Sequence, residues 1–423
     1  MDDVAKARAG TVERGTSRSR WAMHLMSLAV GSAIAVAVIY LPQTLLAAMA
    51  ADFSVTDGAG GILPTAVQVG YALGIFLLVP LADRVAPKRQ VTVQSVLLAI
   101  ALLATAAMPD VAAAAAGFAI VGLVANVAQI IIATSAKLAP PGAVGSTVAT
   151  IVGSLTVGIF GGRIVAGLLV GLIGWRWVLV CFAALVLAVL PTLRAALAPA
   201  QPNTSAARYG NLLQATFNAV RRNRTTAESV MLQFFVFAAF NSLWASMVLH
   251  LTGSHHAWPS GHAGLFGTVG LAAGLASPAV FRSLRSLSEM NIMGIFLALF
   301  LVAECSIVLD ADVIPVFAVS VFLATAANQF IQTAAQRRVL EANSDHPGSA
   351  NAAFMVGVFA GGAVGSYLGV AAITAGGMQL VGGLGAVFIM CAAVVWSSAF
   401  HRARRSGISQ QPRGGSAWRK NSA

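Results

Sequence analysis

Charge is what this sequence has least of. Asp, Glu, Lys and Arg make up 9% of the 423 residues, against 58% hydrophobic. A soluble chain of this length needs far more charge to cover its surface, so a soluble globular protein is excluded. Cysteine is equally sparse. Cys181, Cys305 and Cys391 lie inside apolar segments with neither a pairing framework nor metal-ligand spacing, and read as small buried hydrophobes. No cleavable leader is expected, because the first apolar run is too long for one and lacks a small-residue cleavage site.

Apolar sequence is what abounds. Runs of about 20 residues, long enough to cross ~30 Å of hydrocarbon as helix, recur throughout. Twelve are expected, at about 24–49, 60–82, 91–108, 111–135, 143–173, 175–197, 229–251, 262–282, 289–309, 313–336, 351–374 and 378–400. The expected fold class is an all-α membrane protein with twelve transmembrane helices, its first partner the lipid bilayer.

A net charge of +12 suits nucleic acid, but its placement argues otherwise. Of 26 Lys and Arg, 24 fall in alternate loops and tails: five in 1–23, three in 84–89, Lys137, five in 194–224, two in 282–285, two in 337–338 and six from 402 onward. The opposite loops hold Asp52, Asp57, Asp110, Asp310 and Asp312, with Arg176 as their one cation. The positive-inside rule places the basic side, and both termini, in the cytoplasm. Basicity is topology, and no nucleic-acid partner is expected.

Residues 198–227 form the one long polar interruption, opened by Pro, Asn, Ser and Thr and closed by an amphipathic basic stretch. They divide the chain into a basic tail (1–23), a six-helix half (24–197), a cytoplasmic linker (198–227), a second six-helix half (228–400) and a second basic tail (401–423). The halves repeat. VGIFGG at 157–162 recurs as VGVFAGG at 356–362, Pro80 and Arg84 recur as Pro278 and Arg282, and Gln43 corresponds to Asn241. A common offset across three helix pairs implies two pseudo-symmetric halves about an axis along the membrane normal.

The second helix ends GYALGIFLLVPLADRVAPKRQ (70–90). With YLPQTLLAAMAADFSV (40–55), GGRIVAGLLVGLIGWRWVL (161–179) and NAAFMVGVFAGGAVGSYLG (351–369), this resembles the major facilitator superfamily, in its bacterial drug- and sugar-efflux-like branch. The family's cytoplasmic-loop motif runs Gly-x-Leu-Ala-Asp-Arg-x-Gly-Arg-Lys. Leu81, Ala82, Asp83, Arg84, Lys88 and Arg89 stand in register, while Val79, Ala86 and Pro87 depart from it. The resemblance implies a cytoplasmic gate at Asp83, Arg84, Lys88 and Arg89 that latches the halves when the transporter faces outward. Asp83 sits at a helix C-terminus, where an anion needs a partner such as Arg84 or the N-terminus of the eleventh helix near Asn351. A solvated basic loop explains the three cations without a gate, but not Asp83. The second-half copy, FRSLR at 281–285, lacks an acid. The fourth-helix arginine of proton-coupled relatives falls at Phe118, and the fifth helix lacks their Gly-Pro pair. The resemblance thus implies a monomeric secondary transporter of a bacterial inner membrane. It would move a small drug-like or sugar-like solute, outward rather than as an uptake permease. No cofactor is implied, and a proton gradient is the driving force to test.

Polar groups in hydrocarbon need a reason. The tenth helix carries Thr325, Asn328, Gln329, Gln332 and Gln336 on one face; the fourth carries Gly122, Asn126 and Gln129. Tyr40, Gln43 and Thr44 in the first helix, Gln68 and Tyr71 in the second, and Gln233, Asn241 and Trp244 in the seventh form similar patches. The first, fourth, seventh and tenth helices line the central cavity in the superfamily, so these patches are the expected substrate site. Interhelical hydrogen bonding alone is the competing explanation for each. Arg163 lies deep in the fifth helix, and its repeat twin is Gly362, so the scaffold does not require it. It is a candidate substrate ligand or coupling residue, with snorkelling to the outer interface as the alternative. Glu304 is the one acid deep in an apolar run and the second coupling candidate. Gly153, Gly158, Gly161, Gly162, Gly167 and Gly171, with Gly357, Gly361, Gly362, Gly365 and Gly369, suit either sliding between the halves or tight packing.

One motif points elsewhere. Pro259-Ser260-Gly261-His262 resembles the central piece of the type-2 phosphatidic acid phosphatase site. That family also needs Lys-x6-Arg-Pro upstream and Ser-Arg-x5-His downstream, and this chain has neither. Without those cations and that nucleophile, phosphoryl transfer has no means of stabilising its charge, so no enzyme is expected. The tetrad reads as a turn, with Ser260 capping the eighth helix. His250, His255, His256 and His262 are loosely spaced with no acid nearby in sequence, so no metal site is expected.

Overall fold

A computed structural model describes residues 21–197, 209–284 and 286–405, and among these the regular structure is entirely helical. Helix α1 spans Trp21–Asp52, α2 Asp57–Ala82, α3 Pro87–Ala106 and α4 Val111–Leu138. One helical stretch covers Val144–Ala196 and another Pro347–Arg405. Between them lie a linker helix, Tyr209–Arg222, then α7 (Arg224–Thr252), α8 (Gly267–Ser283), α9 (Glu289–Asp310) and α10 (Ile314–Glu341). Among the described residues, nine helices are long and apolar enough to cross a membrane.

Two of the nine exceed one crossing. Stretches of 53 and 59 residues would measure roughly 80 and 90 Å, against ~30 Å of hydrocarbon. Each is interrupted by glycine in the left-handed region, Gly174 at φ 76° and Gly377 at φ 69°, a conformation costly for other residues. The chain reverses at both. Gly158 and Gly162 meet Ala33 and Ala37 in the same order, so 144–173 (α5) runs parallel to α1. Leu193 meets Gly31 while Trp175 bonds Asp52, so 175–196 (α6) runs back. Likewise 347–375 (α11) follows α7, and 378–405 (α12) returns along α9, where Trp396 Nε1 donates to the Met290 carbonyl at 2.8 Å. With α8, each expected apolar run has a helix of its own.

Glycine decides how closely the helices approach. Gly158 presses on the backbone of Ala33 in α1, and Gly361, Gly365 and Gly369 press on Phe234, Ala238 and Ser242 in α7. Most glycines offered for sliding thus serve the α1–α5 and α7–α11 pairs. Contact across the middle uses Gly167 with glycines outside that set. Gly264, on a short helix Ser260–Leu265, meets Gly167 of α5, while Gly267, Gly270 and Gly274 of α8 meet Ile164, Phe160 and Thr156. A second seam joins α2 to α11 through Tyr71 and Phe359, ring centroids 4.3 Å apart, and through Gly61 and Val370. Towards the basic loops this seam parts around a cavity of about 300 Å³, walled by the ends of α2 and α4, the start of α11 and the linker helix. Tyr209 of the linker helix donates to the Leu77 carbonyl at 2.6 Å, which ties the linker to α2.

Candidate functional site

Arg163 is 3% exposed, in the middle of α5. Its Nη2 donates to Gln43 Oε1 of α1 at 2.7 Å. Gln43 Nε2 donates to Asn241 Oδ1 of α7 at 2.9 Å and reaches Ser366 Oγ of α11 at 3.5 Å. Gln68 Nε2 of α2 donates to the same Asn241 oxygen at 3.3 Å, and Asn241 donates to the Phe237 carbonyl at 3.1 Å. One polar chain therefore links five helices at the point where both seams converge. A 3-10 turn at Val38–Tyr40 precedes Gln43, and the three-residue spacing puts Tyr40 and Gln43 on one side of α1.

Aromatic rings enclose the charge. The guanidinium carbon lies 4.3 Å from the Trp244 ring centroid, 4.5 Å from Tyr40 and 5.4 Å from Phe160. Ring faces attract a cation, and in a dry site the attraction reaches about 2 kcal/mol. Trp244 is itself held by Nε1 donating to Thr325 Oγ1 of α10 at 3.3 Å. Two donors on Arg163, Nε and Nη1, and the acceptor Oε1 of Gln68 have no hydrogen-bond partner among the described residues. The space beside Arg163, bounded by Gln43, Thr44, Trp244, Gly264 and Gly267, measures about 10 Å³, barely one water. Snorkelling is excluded in this arrangement: the head group is buried beneath the α5–α8 seam.

The other expected site residues lie elsewhere. Gln129 Nε2 donates to the Tyr71 hydroxyl at 3.5 Å, a patch shared by α2 and α4. Asn126 is fully buried at a break in α4, packed on Gly74 and donating to the Gly122 carbonyl at 3.4 Å. Asn328 accepts from Gln233 at 3.1 Å, joining α10 to α7. Gln329 and Gln332 are half-buried and outside the Arg163 chain. Along α10, Thr325 and Asn328 thus bond to α7, and Gln336 Nε2 donates to Asn351 Oδ1 of α11 at 2.6 Å. Glu304 is fully buried between α9 and α12, its carboxyl filling the notch left by Gly385. It does not meet Arg163.

In the loop expected to form the gate, Arg84 and Arg89 are exposed and Lys88 half-buried; the Asp83 side chain lies outside the described residues, as do parts of 281–285. Arg176, the odd cation of the acidic side, pairs with Asp52 and lies 4.4 Å from the Trp175 ring. The PSGH tetrad opens the short helix, with Pro259 as N-cap and Ser260 to His262 already helical; contrary to expectation it is not a turn, and Ser260 makes no side-chain cap. Sequence reasoning missed Ser366 and Phe160. Ser366, a hydroxyl inside the glycine-rich stretch of α11, was the available signal.

The model of the Major Facilitator Superfamily matches residues 28–303. The chain belongs to the major facilitator superfamily. Among curated relatives of this transporter, a putative uncharacterized transporter, YgaY, of Escherichia coli K12 is 32% identical over 384 residues, covering 89% of this chain and 95% of the relative. A probable transporter, SCO4007, of Streptomyces coelicolor is 30% identical, covering 86% and 84%. Solved structures share the fold. They include the nucleoside transporter NupG, as a point mutant, with TM-score 0.72 and 15% identity over 89% of this chain and 99% of that one. A bacterial homolog of the human lysosomal transporter Spinster gives 0.71 and 13%, covering 93% and 99%. The chain is therefore a multi-pass membrane transporter of the superfamily, whose members are generally not enzymes.

Proposed function

We propose that this protein is a secondary active transporter that moves a small organic solute outward by alternating access. It would have twelve crossings in two six-helix halves, lie in a bacterial inner membrane with both termini cytoplasmic, and work as a monomer. The observation that carries the reading is Arg163, a buried cation with two unpartnered donors, stacked between Tyr40 and Trp244 and bonded through Gln43 to Asn241. A guanidinium fork matches carboxylate, phosphate or paired hydroxyls, and the rings accept a planar or sugar-like face. Gln43, Gln68 and Asn241 supply further polar contacts, and parting of the α5–α8 seam would open the site. Tyr71, Asn126, Gln129, Asn328, Gln329 and Gln332 would serve as supports or as wall further along the path. Arg163 is the first coupling candidate, and Glu304, away from both seams, is the alternative.

Flux into and out of proteoliposomes, with and without a pH gradient and across a drug and sugar panel, tests this. Arg163→Ala is expected to abolish flux, and Arg163→Lys to lower it at least about tenfold, because lysine keeps the charge but loses the fork and the stacking. Wild-type flux in Arg163→Lys would remove the site from this position. Net accumulation from outside would make the protein an uptake permease. Release of phosphate from lipid phosphates, lost in Ser260→Ala, would revive the phosphatase.

A further inference from the structure

The face opposite the basic loops carries a histidine cluster apart from the Arg163 site. His250 lies in the last turn of α7, His255 and His256 come next in the connecting turn, and Asp312 sits between α9 and α10. His256 Nε2 is 3.5 Å from Asp312 Oδ1, His255 Nδ1 3.7 Å and His250 Nε2 3.9 Å. Ligand atoms of His250, His256 and Asp312 all fall within 4.8 Å of one another. A metal was not expected because no acid stands near these histidines in the sequence. The fold corrects that premise by bringing Asp312 to them.

The turn is bent to make the cluster. Ala257 adopts φ 51°, a left-handed conformation that costs a non-glycine residue roughly 1–2 kcal/mol. Hydrogen bonds from Ala257 N to the Gly253 carbonyl (2.7 Å) and from Trp258 N to the Leu251 carbonyl (2.9 Å) hold it there. The bend folds His256 onto its neighbours, with ring centroids 4.8 Å from His250 and 4.7 Å from His255. The His250 and His256 side chains are 9% and 10% exposed, and His256 Nε2 is buried without a hydrogen-bond partner among the described residues. A buried imidazole nitrogen aimed at a carboxylate it does not bond is poised to share a ligand with it.

We propose that His250, His256 and Asp312, with the exposed His255 as fourth donor, bind a divalent transition-metal ion of zinc's class. Imidazole nitrogens select zinc and its neighbours over calcium and magnesium, which take oxygen. Donors about 2.0–2.2 Å from a tetrahedral ion stand roughly 3.4 Å apart, so the carboxylate contacts are nearly in place and the rest need small side-chain rotations. His250 Nε2 now donates to the Ala311 carbonyl at 3.1 Å; ligation through it gives up that hydrogen bond, with the ring proton moving from Nε2 to Nδ1. The ion would pin the α7–α8 turn to the α9–α10 loop.

The test is zinc titration of the tag-free, full-length protein in detergent, by calorimetry and by thermal unfolding. One zinc per chain is expected, with micromolar or tighter affinity and a higher unfolding temperature. His256→Ala and Asp312→Asn are each expected to weaken binding at least about tenfold and to remove the zinc-dependent rise. His262→Ala, outside the cluster, should change neither. No saturable site, equal affinity in both variants, or an equal loss in His262→Ala overturns the proposal. Should the variants fail to fold, X-ray absorption of the zinc-loaded wild type decides: imidazole scattering in a nitrogen/oxygen shell upholds the site, and a sulfur or all-water shell overturns it.

Discussion

Gln43 and Asn241 share a hydrogen bond of 2.9 Å although 198 residues separate them. The same spacing relates Pro80 to Pro278 and Arg84 to Arg282. In a duplicated bundle, equivalent positions touch each other only at the axis relating the copies, so this pair marks that axis. Arg163 has no counterpart and breaks the symmetry there. A double-mutant cycle on Gln43→Ala and Asn241→Ala, read by thermal unfolding, is expected to show coupling of about 0.6 kcal/mol, typical of amides within a membrane. Coupling near zero would detach the pair from the fold's stability.

The Gly167–Gly264 contact gives a prediction about motion. A Cβ on Gly264 would lie 2.8 Å from the Gly167 Cα, and one on Gly167 2.6 Å from the Gly264 Cα, with backbone on both sides. Neither helix can yield without moving. Gly264→Val is therefore expected to wedge the seam open on the acidic side, a bias of about 1–3 kcal/mol by overpacking. In a cysteine-free background, Ser260→Cys should react several-fold faster with an impermeant thiol reagent when Gly264→Val is present. Unchanged labelling would show that the seam does not gate.

Glu304 tests the assignment of coupling. Its carboxyl lies between α9 and α12, against Gly385, and touches neither seam. Glu304→Gln preserves that shape, so flux and its response to a pH gradient are expected to persist. Loss of the gradient response with flux retained would instead make Glu304 the proton carrier. Gly385→Val, which fills the carboxyl's notch, is expected to lower the unfolding temperature whichever holds.

The sequence announced helices better than it announced contacts. Gly174 and the Gly376–Gly377 pair separate apolar runs in the sequence and also break the two overlong helices, because the left-handed turn they need is a local property. The axial amides were legible too, as polar residues repeated in hydrocarbon. Which partner each amide takes was not, since Gln233 reaches Asn328 and Gln129 reaches Tyr71 only once the packing is set. The glycines of α8, spaced like any small-residue face, gave no sign that they meet α5. Asp312 stands far from His256 in the chain, so spacing alone could not assemble that cluster.

Glycine faces of α5 and α11 end in a ranking. A Cβ on Gly158, Gly361 or Gly365 would strike the backbone carbonyls of Ala33, Phe234 or Ala238, which cannot turn aside. One on Gly357 would meet the Val230 side chain, which can change rotamer. Alanine at the first three positions is thus expected to cost about 1–3 kcal/mol each, and at Gly357 less than about 1. Thermal unfolding of the four purified variants measures the order. Since Gly158 and Gly357 are repeat partners, equal costs would mean that the α1–α5 and α7–α11 pairs are packed alike, whereas the contacts say that α7 yields where α1 does not.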